Sequence, residues 1–257
     1  MLEPERPSMR VVTLRRGGRA PLALSPVITE VVAETAARQG VALVVRQQDP
    51  YLLLGPQDRR LPTIESAAAW AEAEGVPVYM RIGGGSAVYL DGGCLSFGAA
   101  RPCRDLTTLE RNYRELAGPV IDALQALGLP AQFGAAAGSY CEGPWDIVVD
   151  GVKVAGVAQA IRGGFTLVSG MILLDQDPVE ATGFVQEVYR RAGSPLQLSA
   201  AAVTSVAHLI GRRVPSDEME QRIREAWSLR LPLYEDPLTA EELGRAEALI
   251  AERRFHS

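Results

Sequence analysis

Cys141 has the surroundings that best suit nucleophilic chemistry among the three cysteines of this chain. It lies in the segment SYCEGP at residues 139–144, where glycine, serine and proline predict a loop. Cys94 instead alternates within a strand-like run and is predicted to be buried, and Cys103 has no comparable setting. A lone cysteine is usually an inert small hydrophobe, so the sequence leaves both a reactive and an inert Cys141 open.

Lys153 is unusual because it stands alone in an apolar run. It lies in VKVAGVA at residues 152–158, and the next charge along the chain is Arg162. A half-buried strand with period-two alternation would place this lysine on the solvent face. A lysine drawn into a cleft would instead be desolvated, which lowers its pKa. Periodicity does not decide between these two interpretations.

The segment RIGGGS at residues 81–86 is the most unusual local composition. Glycines let the main chain approach a ligand and offer its amide donors, while Arg81 could contact a carbonyl or phosphate. No Gly-Lys-Ser/Thr follows, which excludes a P-loop, and Val88 stands where a dinucleotide-binding loop has its third glycine. The segment therefore indicates a ligand-binding loop or a flexible hairpin, built on Gly83, Gly84 and Gly85.

The sequence gives little support for a histidine-dependent mechanism or for a metal site. The chain has two histidines, and neither His208, in SVAHLI at residues 205–210, nor His256 lies near a glycine-rich or acidic cluster. A Ser/His/Asp or Cys/His mechanism needs an imidazole within hydrogen-bond reach of the nucleophile, so such mechanisms are disfavoured. The three cysteines lack C-x-x-C spacing, and we therefore expect no metal site and no disulfide framework.

Composition and net charge restrict the classes of partner that this chain is expected to bind. The 257 residues are 47% hydrophobic and 22% charged, as in ordinary globular proteins, and 26 basic against 31 acidic residues give a net charge of −5. That field repels phosphate and disfavours a nucleic-acid partner. The first ten residues lack the apolar core of a signal peptide, and the most apolar stretch, residues 165–174, is about half a bilayer span. We expect no membrane association and a cytoplasmic location.

The elements that must position these residues alternate between helix and hairpin. An Asp150-Gly151 turn and a Gly163-Gly164 turn between apolar runs predict antiparallel hairpins, which favours an α+β fold with mixed, largely antiparallel sheets flanked by helices. Strands are predicted at residues 41–45, 51–54, 76–82, 86–90, 94–99, 145–149, 152–161 and 165–174. Helices are predicted at residues 27–39, after Thr63, and at 105–127.

The last third of the chain is predicted to be helical. Helices begin at Asp177-Pro178, at Ser216, and at Thr239, where the TAEE sequence is a capping box. We divide the chain into an N-terminal extension at residues 1–20 with a frayed end, a catalytic core at 21–195, and a small helical C-terminal segment at 196–257 packed on the core.

Two long motifs resemble those of the biotin/lipoate protein ligase and octanoyltransferase superfamily. RIGGGSAVYLD at residues 81–91 is similar to its arginine- and glycine-rich motif, and WDIVVDGVKVAGVAQ at 145–159 is similar to its G-x-K-x-x-G-x-x-Q motif. Within the superfamily, three shorter segments are similar to those of the octanoyl amidotransferase branch: GSYC at residues 138–141, LD at 90–91 and LGPQD at 54–58. Ile82 departs from the motif, which has Arg or Asn at this position. The likeness covers roughly residues 45–255.

The resemblance implies a fold like that of class II aminoacyl-tRNA synthetases and biotin synthetase. It also implies a covalent route, in which Cys141 takes an octanoyl or lipoyl group as a thioester and passes it to a lysine of a lipoyl-domain protein. Lys153 would supply a cation or hydrogen-bond the acyl oxygen. Substrate-binding roles would fall to Arg81, Gly83, Gly84, Gly85, Gly156 and Gln159.

The implied partners are the glycine cleavage H protein and the acyltransferase subunits of 2-oxoacid dehydrogenases. No cofactor is implied, and a monomer is expected. One rival is an ATP-dependent lipoate-protein ligase, which would use ATP and magnesium, keep Lys153 and not need Cys141. The other is a non-catalytic acyl-binding protein on the same fold.

Overall fold

The computed structural model describes residues 7–103 and 107–255. Its strands are β1 (Met9–Leu14), β2 (Val41–Arg46), β3 (Tyr51–Leu54), β4 (Val78–Met80), β5 (Val88–Leu90), β6 (Cys94–Pro102), β7 (Gln132–Gly134), β8 (Asp146–Val149), β9 (Val152–Arg162), β10 (Phe165–Leu173) and β11 (Leu233–Glu235). Its helices are α1 (Ser25–Gln39), α2 (Ile64–Ala73), α3 (Leu109–Gln125), α4 (Pro178–Arg191), α5 (Val206–Ile210), α6 (Ser216–Ser228) and α7 (Ala240–Arg253).

These strands form two mixed sheets. The larger has the order β11-β1-β2-β6-β10-β9-β8-β7, parallel from β11 to β2 and antiparallel from β2 to β7. The smaller has the order β4-β3-β5, with one parallel and one antiparallel pair. The predicted α+β fold with mixed, largely antiparallel sheets flanked by helices is confirmed.

Three apolar clusters hold the layers together. Alternate residues of β1 and β2 point to opposite faces of the large sheet, and one face packs on α3 and α6 while the other packs on α1 and α7. The small sheet packs with α2 and α4 in the third cluster. After β3 the chain enters the loop that follows Leu54, and after β4 it enters the glycine-rich segment, which contacts β9 at Gln159.

The two predicted hairpin turns position the centre of the large sheet. Asp150 and Gly151 have φ of 49° and 80°, and Gly163 and Gly164 have φ of 58° and 82°. Two successive residues at positive φ give a turn whose twist matches that of paired antiparallel strands. The turns join β8 to β9 and β9 to β10, as predicted, and they place β9 between its sequence neighbours.

The frayed end predicted for the first ten residues is wrong at Met9 and Arg10. Both are buried in strand β1, which pairs in parallel with β2 and with β11 from the far end of the chain. Arg10 forms a buried pair with Glu242 on α7 at 2.7 Å, which ties the two ends together. Residues 1–6 of the predicted extension, the predicted helix start at Asp105, and His256 lie outside the described residues. The division at residues 20 and 195 stays a prediction.

Candidate active site

Cys141 lies in the loop between β7 and β8 with its backbone in the left-handed region, at φ 48°. Its sulfur accepts two hydrogen bonds, from Nη2 of Arg81 at 2.9 Å and from the backbone N–H of Ser86 at 3.2 Å. Both donors come from the segment that follows β4. The glycine-rich segment and the cysteine loop, predicted separately, therefore form one site around the thiol.

The contact between Arg81 and the sulfur of Cys141 is possible because Gly85 has no side chain. Gly85 has φ 98°, and a Cβ atom there would lie 2.3 Å from Nη2 of Arg81 and 2.6 Å from Sγ of Cys141. Behind it, a Cβ at Gly55 would lie 1.8 Å from the carbonyl oxygen of Gly85. The glycine-rich segment is thus held between the end of β3 and the cysteine loop, and it is not a free hairpin.

The surroundings of Cys141 favour its thiolate. Burial by itself would raise the pKa of the thiol. The charges of Arg81 and Lys153 and the hydrogen bonds from Ser86 and Arg81 oppose that effect, and the balance lowers the pKa of Cys141 below its ordinary value. Cys94 shows the contrast, because it is buried in the core, as predicted, and burial strongly raises its pKa. A lowered pKa increases the fraction of thiolate, the nucleophilic form, at neutral pH.

Lys153 is fully buried, so the interpretation that placed it on a solvent face is wrong. Its ammonium donates to the carbonyl oxygens of Tyr140 and Cys141, each at 3.0 Å, and lies 2.9 Å from Oδ2 of Asp146. The lysine thus holds the backbone of Cys141, whereas the cation that contacts the sulfur is Arg81. Sequence reasoning assigned the thiol's cation to Lys153 and substrate binding to Arg81.

Asp146 is a partner that sequence reasoning missed. Its carboxylate also accepts hydrogen bonds from the backbone N–H groups of Gly143 and Val157, at 3.0 and 3.1 Å. Burial raises the pKa of Asp146, against the effect of Lys153 and the backbone donors. The carboxylate therefore joins the start of β8, the cysteine loop and β9 around the lysine. Its place inside the WDIVVDG motif was the available signal.

The other residues predicted to bind substrate lie near Cys141 and Lys153, but they make different kinds of contact. A Cβ at Gly156 would lie 3.3 Å from Cε of Lys153, so this glycine leaves room for the lysine. Gly84 donates its N–H to the carbonyl of Gln159 at 3.4 Å, and a Cβ at Gly83 would contact the same strand. The side-chain amide of Gln159 is buried with no hydrogen-bond partner among the described residues. Gln159 thus supports the glycine segment through its backbone, and it does not line the cavity described next.

Cys141 and Lys153 line a cavity that lies between α1 and the two sheets. Apolar side chains from both sheets line most of it: Leu53, Met80, Val88, Leu90, Val157, Leu167 and Met171. Ile82 also lines it, so the residue that departs from the family motif adds apolar surface here. The lining also includes the polar residues Thr29, Glu30, Arg46 and Ser96. Such a lining suits a chain-like apolar ligand whose reactive carbonyl lies at the cysteine.

A second layer fixes the residue that donates to the thiol. The hydroxyl of Tyr189 accepts a hydrogen bond from the backbone N–H of Ala87 at 2.9 Å and donates to Asp58 at 3.1 Å. The other oxygen of Asp58 accepts from the N–H of Gly55 at 2.7 Å, and burial raises the pKa of this carboxyl. These contacts fix the C-terminal end of the glycine-rich segment at Ala87 and, through Gly55, the backbone that packs against Gly85. Asp58 lies in the LGPQD sequence that sequence analysis noted without giving it a role.

No group of three or more histidine, cysteine, aspartate or glutamate side chains in residues 7–103 and 107–255 is arranged to hold a metal ion. None of the helices in the same ranges combines the length and apolar character that a bilayer crossing requires.

Comparison with known proteins connects this site to one family. The sequence pattern of the lipoyl protein ligase A/B catalytic domain matches residues 19–228. An octanoyl-[GcvH]:protein N-octanoyltransferase from Kyrpidia tusciae is 34% identical over 172 residues, which are 63% of this chain and 59% of that protein. The protein of the same name from Anoxybacillus flavithermus is 31% identical over 188 residues, 72% of this chain and 66% of that protein. The chain thus spans about six tenths of the length of the curated relatives it matches.

Solved structures agree at the level of the fold. A crystal structure of lipoate-protein ligase A bound with ATP superimposes with a TM-score of 0.71, covering 96% of this chain and 95% of that one at 21% sequence identity.

Proposed function

Because this chain belongs to the lipoyl protein ligase A/B catalytic domain family, we propose that it is an acyltransferase that carries an octanoyl group on Cys141. The observation that carries the proposal is the Cys141 thiol, which accepts hydrogen bonds from Arg81 and Ser86 and lines a largely apolar cavity. An ATP-dependent ligase would not need a cysteine there. The names of the two curated relatives agree with acyl transfer to or from a lipoyl-domain protein.

In the first step, the Cys141 thiolate attacks the carbonyl carbon of an octanoyl-lysine amide. A carbon–sulfur bond forms, the carbon–nitrogen bond breaks, and the departing lysine amine takes a proton from water. The carbonyl oxygen carries negative charge in the transition state. Once the sulfur is acylated, the guanidinium of Arg81 no longer faces a thiolate. It can then stabilise the charge on the carbonyl oxygen, together with nearby backbone N–H groups.

In the second step, the neutral amine of an acceptor lysine attacks the thioester. The new carbon–nitrogen bond forms, the carbon–sulfur bond breaks, and the proton of the amine passes to solvent while Cys141 returns to its thiolate. The octanoyl group moves from one lysine amide to another, so the overall free-energy change of the transfer is close to zero. The partners we propose are the glycine cleavage H protein and the lipoyl-bearing acyltransferase subunits of 2-oxoacid dehydrogenases. The step needs no cofactor.

Lys153 is proposed to act on the backbone of the nucleophile. Its hydrogen bonds to the carbonyls of Tyr140 and Cys141 support the left-handed conformation that presents the sulfur, and its charge lowers the pKa of the thiol. Gly83, Gly84 and Gly85 supply a backbone that approaches the sulfur closely, and Gly156 leaves space for the lysine.

The test is the mass of the intact protein after incubation with octanoylated H protein or, separately, octanoylated acyl carrier protein. We expect one octanoyl adduct that hydroxylamine removes, lost in Cys141→Ala and kept in the control Cys103→Ala. An adduct from only one donor identifies that donor. Octanoylation of a lipoyl domain that requires octanoic acid and ATP, with no adduct on Cys141, would assign the chain to the ligases. No transfer in any arm would favour a non-catalytic acyl-binding protein.

A further inference from the structure

The outer edge of the small sheet is covered by residues that follow α7. β4 is the outermost strand in the order β4-β3-β5, and one of its sides pairs with β3. On the other side, Arg254 lies opposite Tyr79 in an antiparallel bridge, and the backbone N–H of Phe255 donates to the carbonyl of Val78 at 2.9 Å. Two residues from the far end of the chain therefore pair with an edge that the sheet itself leaves open.

The side chain of Arg254 adds to this backbone contact. Its Nη2 donates to Oε2 of Glu72 on α2, and its Nη1 donates to the hydroxyl of Tyr79 at 3.3 Å. The guanidinium carbon lies 5.4 Å from the centroid of the Tyr79 ring, within the range of a cation–π contact. The other oxygen of Glu72 accepts from the backbone N–H of Val78 at 3.1 Å. Arg254 thus contacts β4 through a tyrosine ring and, through Glu72, is linked to the backbone of the strand.

β4 leads directly into the residue that contacts the thiol. Arg81 is the next residue, and its backbone N–H donates to the carbonyl of Leu54 at 3.1 Å. Its side chain is held through one nitrogen, because Nη2 makes the hydrogen bonds to Ser86 and Cys141 while Nε is buried without a partner among the described residues. The position of this guanidinium therefore depends on where β4 places the backbone of Arg81.

β4 is too short to be held firmly from one side. It has three residues, and its pairing with β3 consists of three residue pairs. The side chains of Arg254 and Glu72 are each 33% exposed, and ion pairs of this kind usually add little to stability. We therefore expect the contact to matter for the placement of β4 more than for the stability of the whole protein.

We propose that Arg254 is a positioning residue for the acyl transfer, which holds β4 from its outer edge so that Arg81 meets the sulfur of Cys141. The inference rests on the proposed function for the reaction that it serves. Without Arg254, β4 is held by β3 alone, and the guanidinium of Arg81 should contact the sulfur less of the time. A positive charge beside the sulfur favours the thiolate, so its displacement leaves more of the neutral thiol.

The pH dependence of Cys141 alkylation by iodoacetamide tests this inference. Because the thiolate forms as pH rises, Arg254→Met should move the midpoint of the profile to higher pH. We expect a movement of at least about half a pH unit, which corresponds to about a threefold loss of thiolate below the midpoint. A residue with a merely structural role would lower the midpoint of urea denaturation and leave this profile in place.

Arg245→Met is the matched control. Arg245 lies on α7, its Nε and Nη2 bind the two oxygens of Glu34 on α1 at 3.1 Å each, and its side chain is 37% exposed. It also binds Glu252 at 3.2 Å. None of its hydrogen bonds within the described residues reaches β4, and it does not line the cavity. We expect a similar effect on urea denaturation and an unmoved alkylation profile.

A double variant shows whether Arg254 acts through Arg81. When Arg254→Met is added to Arg81→Met, the profile should move no further, because the contact that Arg254 supports is already absent. A further movement of the same size would mean that Arg254 affects the thiol by another route, and it would overturn the inference. An unmoved profile in Arg254→Met, or an equal movement in Arg245→Met, would overturn it as well.

Glu72→Gln gives a second test if Arg254→Met does not fold. Glutamine removes the charge that Arg254 binds and keeps an oxygen for the N–H of Val78, so we expect a smaller movement in the same direction, and no movement would count against the inference. Alkylation needs no acyl donor. A profile that moves as expected in a protein that forms no thioester on Cys141 would therefore reject the proposed acyl transfer and leave the contact between Arg254 and β4 as the support of Arg81.

Discussion

The guanidinium of Arg81 lies 2.9 Å from the sulfur of Cys141, across sixty residues of chain. The same nitrogen donates to the backbone carbonyl of Ser86 at 2.6 Å, and the N–H of Ser86 donates to the sulfur. The arginine therefore both contacts the thiol and shapes the loop that contacts it. Together with Lys153, this arrangement lowers the pKa of the Cys141 thiol against the effect of burial.

Loss of this arginine should make the thiol less acidic. In Arg81→Met the burial that raises the pKa of Cys141 remains while the largest opposing charge is removed, so its pKa should rise. Because the thiolate forms as pH rises through the pKa, the pH profile of alkylation by iodoacetamide should move to higher pH. Arg81→Lys should move it less. Cys141→Ala measures the alkylation of the other cysteines, and an unmoved profile would contradict the role given to Arg81.

A methyl group at position 85 should disable the site without unfolding the protein. Gly85→Ala would place Cβ 2.6 Å from the sulfur and 2.3 Å from Nη2 of Arg81, so we expect transfer to fall by at least about 10²-fold, as for loss of a transition-state donor. Gly128→Ala is the matched control, because Gly128 has φ 85° but open space around it. Equal octanoyl transfer rates in the two variants would show that the crowding is unimportant.

The Lys153–Asp146 pair predicts a stability effect that is separable from activity. Lys153→Met leaves Asp146 as a buried, unpaired carboxylate, and we expect the free energy of unfolding to fall by about 3–5 kcal/mol. Lys153→Met combined with Asp146→Asn should recover part of that loss, since it removes both charges, but should not recover transfer. Urea denaturation at neutral pH measures the first quantity. Full recovery of activity in the double variant would show that the lysine has only a structural role.

The hydroxyl of Tyr189 should matter for the glycine-rich segment. Tyr189→Phe removes the acceptor for the N–H of Ala87 and the donor to Asp58, so we expect a loss of about 1–3 kcal/mol in unfolding free energy. The backbone N–H of Ser86 should then be less well placed, and the rate of thioester formation should fall. Tyr234→Phe, at a half-exposed tyrosine on β11, is the control. Unchanged thioester formation in Tyr189→Phe would show that the second layer is not needed.

The hairpin half of the fold was predictable because its turns are local. Asp150-Gly151 and Gly163-Gly164 require positive φ at adjacent positions, and this conformation also sets the strand pairing. The edge of the large sheet was not predictable in the same way. Strands β1 and β11 are six and three residues long, and β11 pairs only with β1, which comes from the opposite end of the chain. A distant segment, and not a local turn, therefore sets the position of this edge strand.

The site was predictable as a set of residues but not as a set of contacts. Local composition and the family resemblance single out Cys141, Arg81, Lys153 and the glycines. The fold brings these residues together. Which cation contacts the sulfur depends on how the segment after β4 meets the loop before β8, which no local pattern encodes. Burial of Lys153 follows from its pairing with Asp146, and alternation along β9 gives no sign of it.

Cys141 is proposed to carry the acyl group between two proteins, and a single-turnover transfer tests this role most directly. The octanoylated protein is isolated free of donor and mixed with an unmodified lipoyl domain in the absence of ATP, and the intact masses of both proteins are followed in time. We expect the octanoyl mass to leave the protein and appear on the acceptor lysine at the same rate. An octanoyl group that stays on Cys141 while the acceptor remains unmodified would contradict the account.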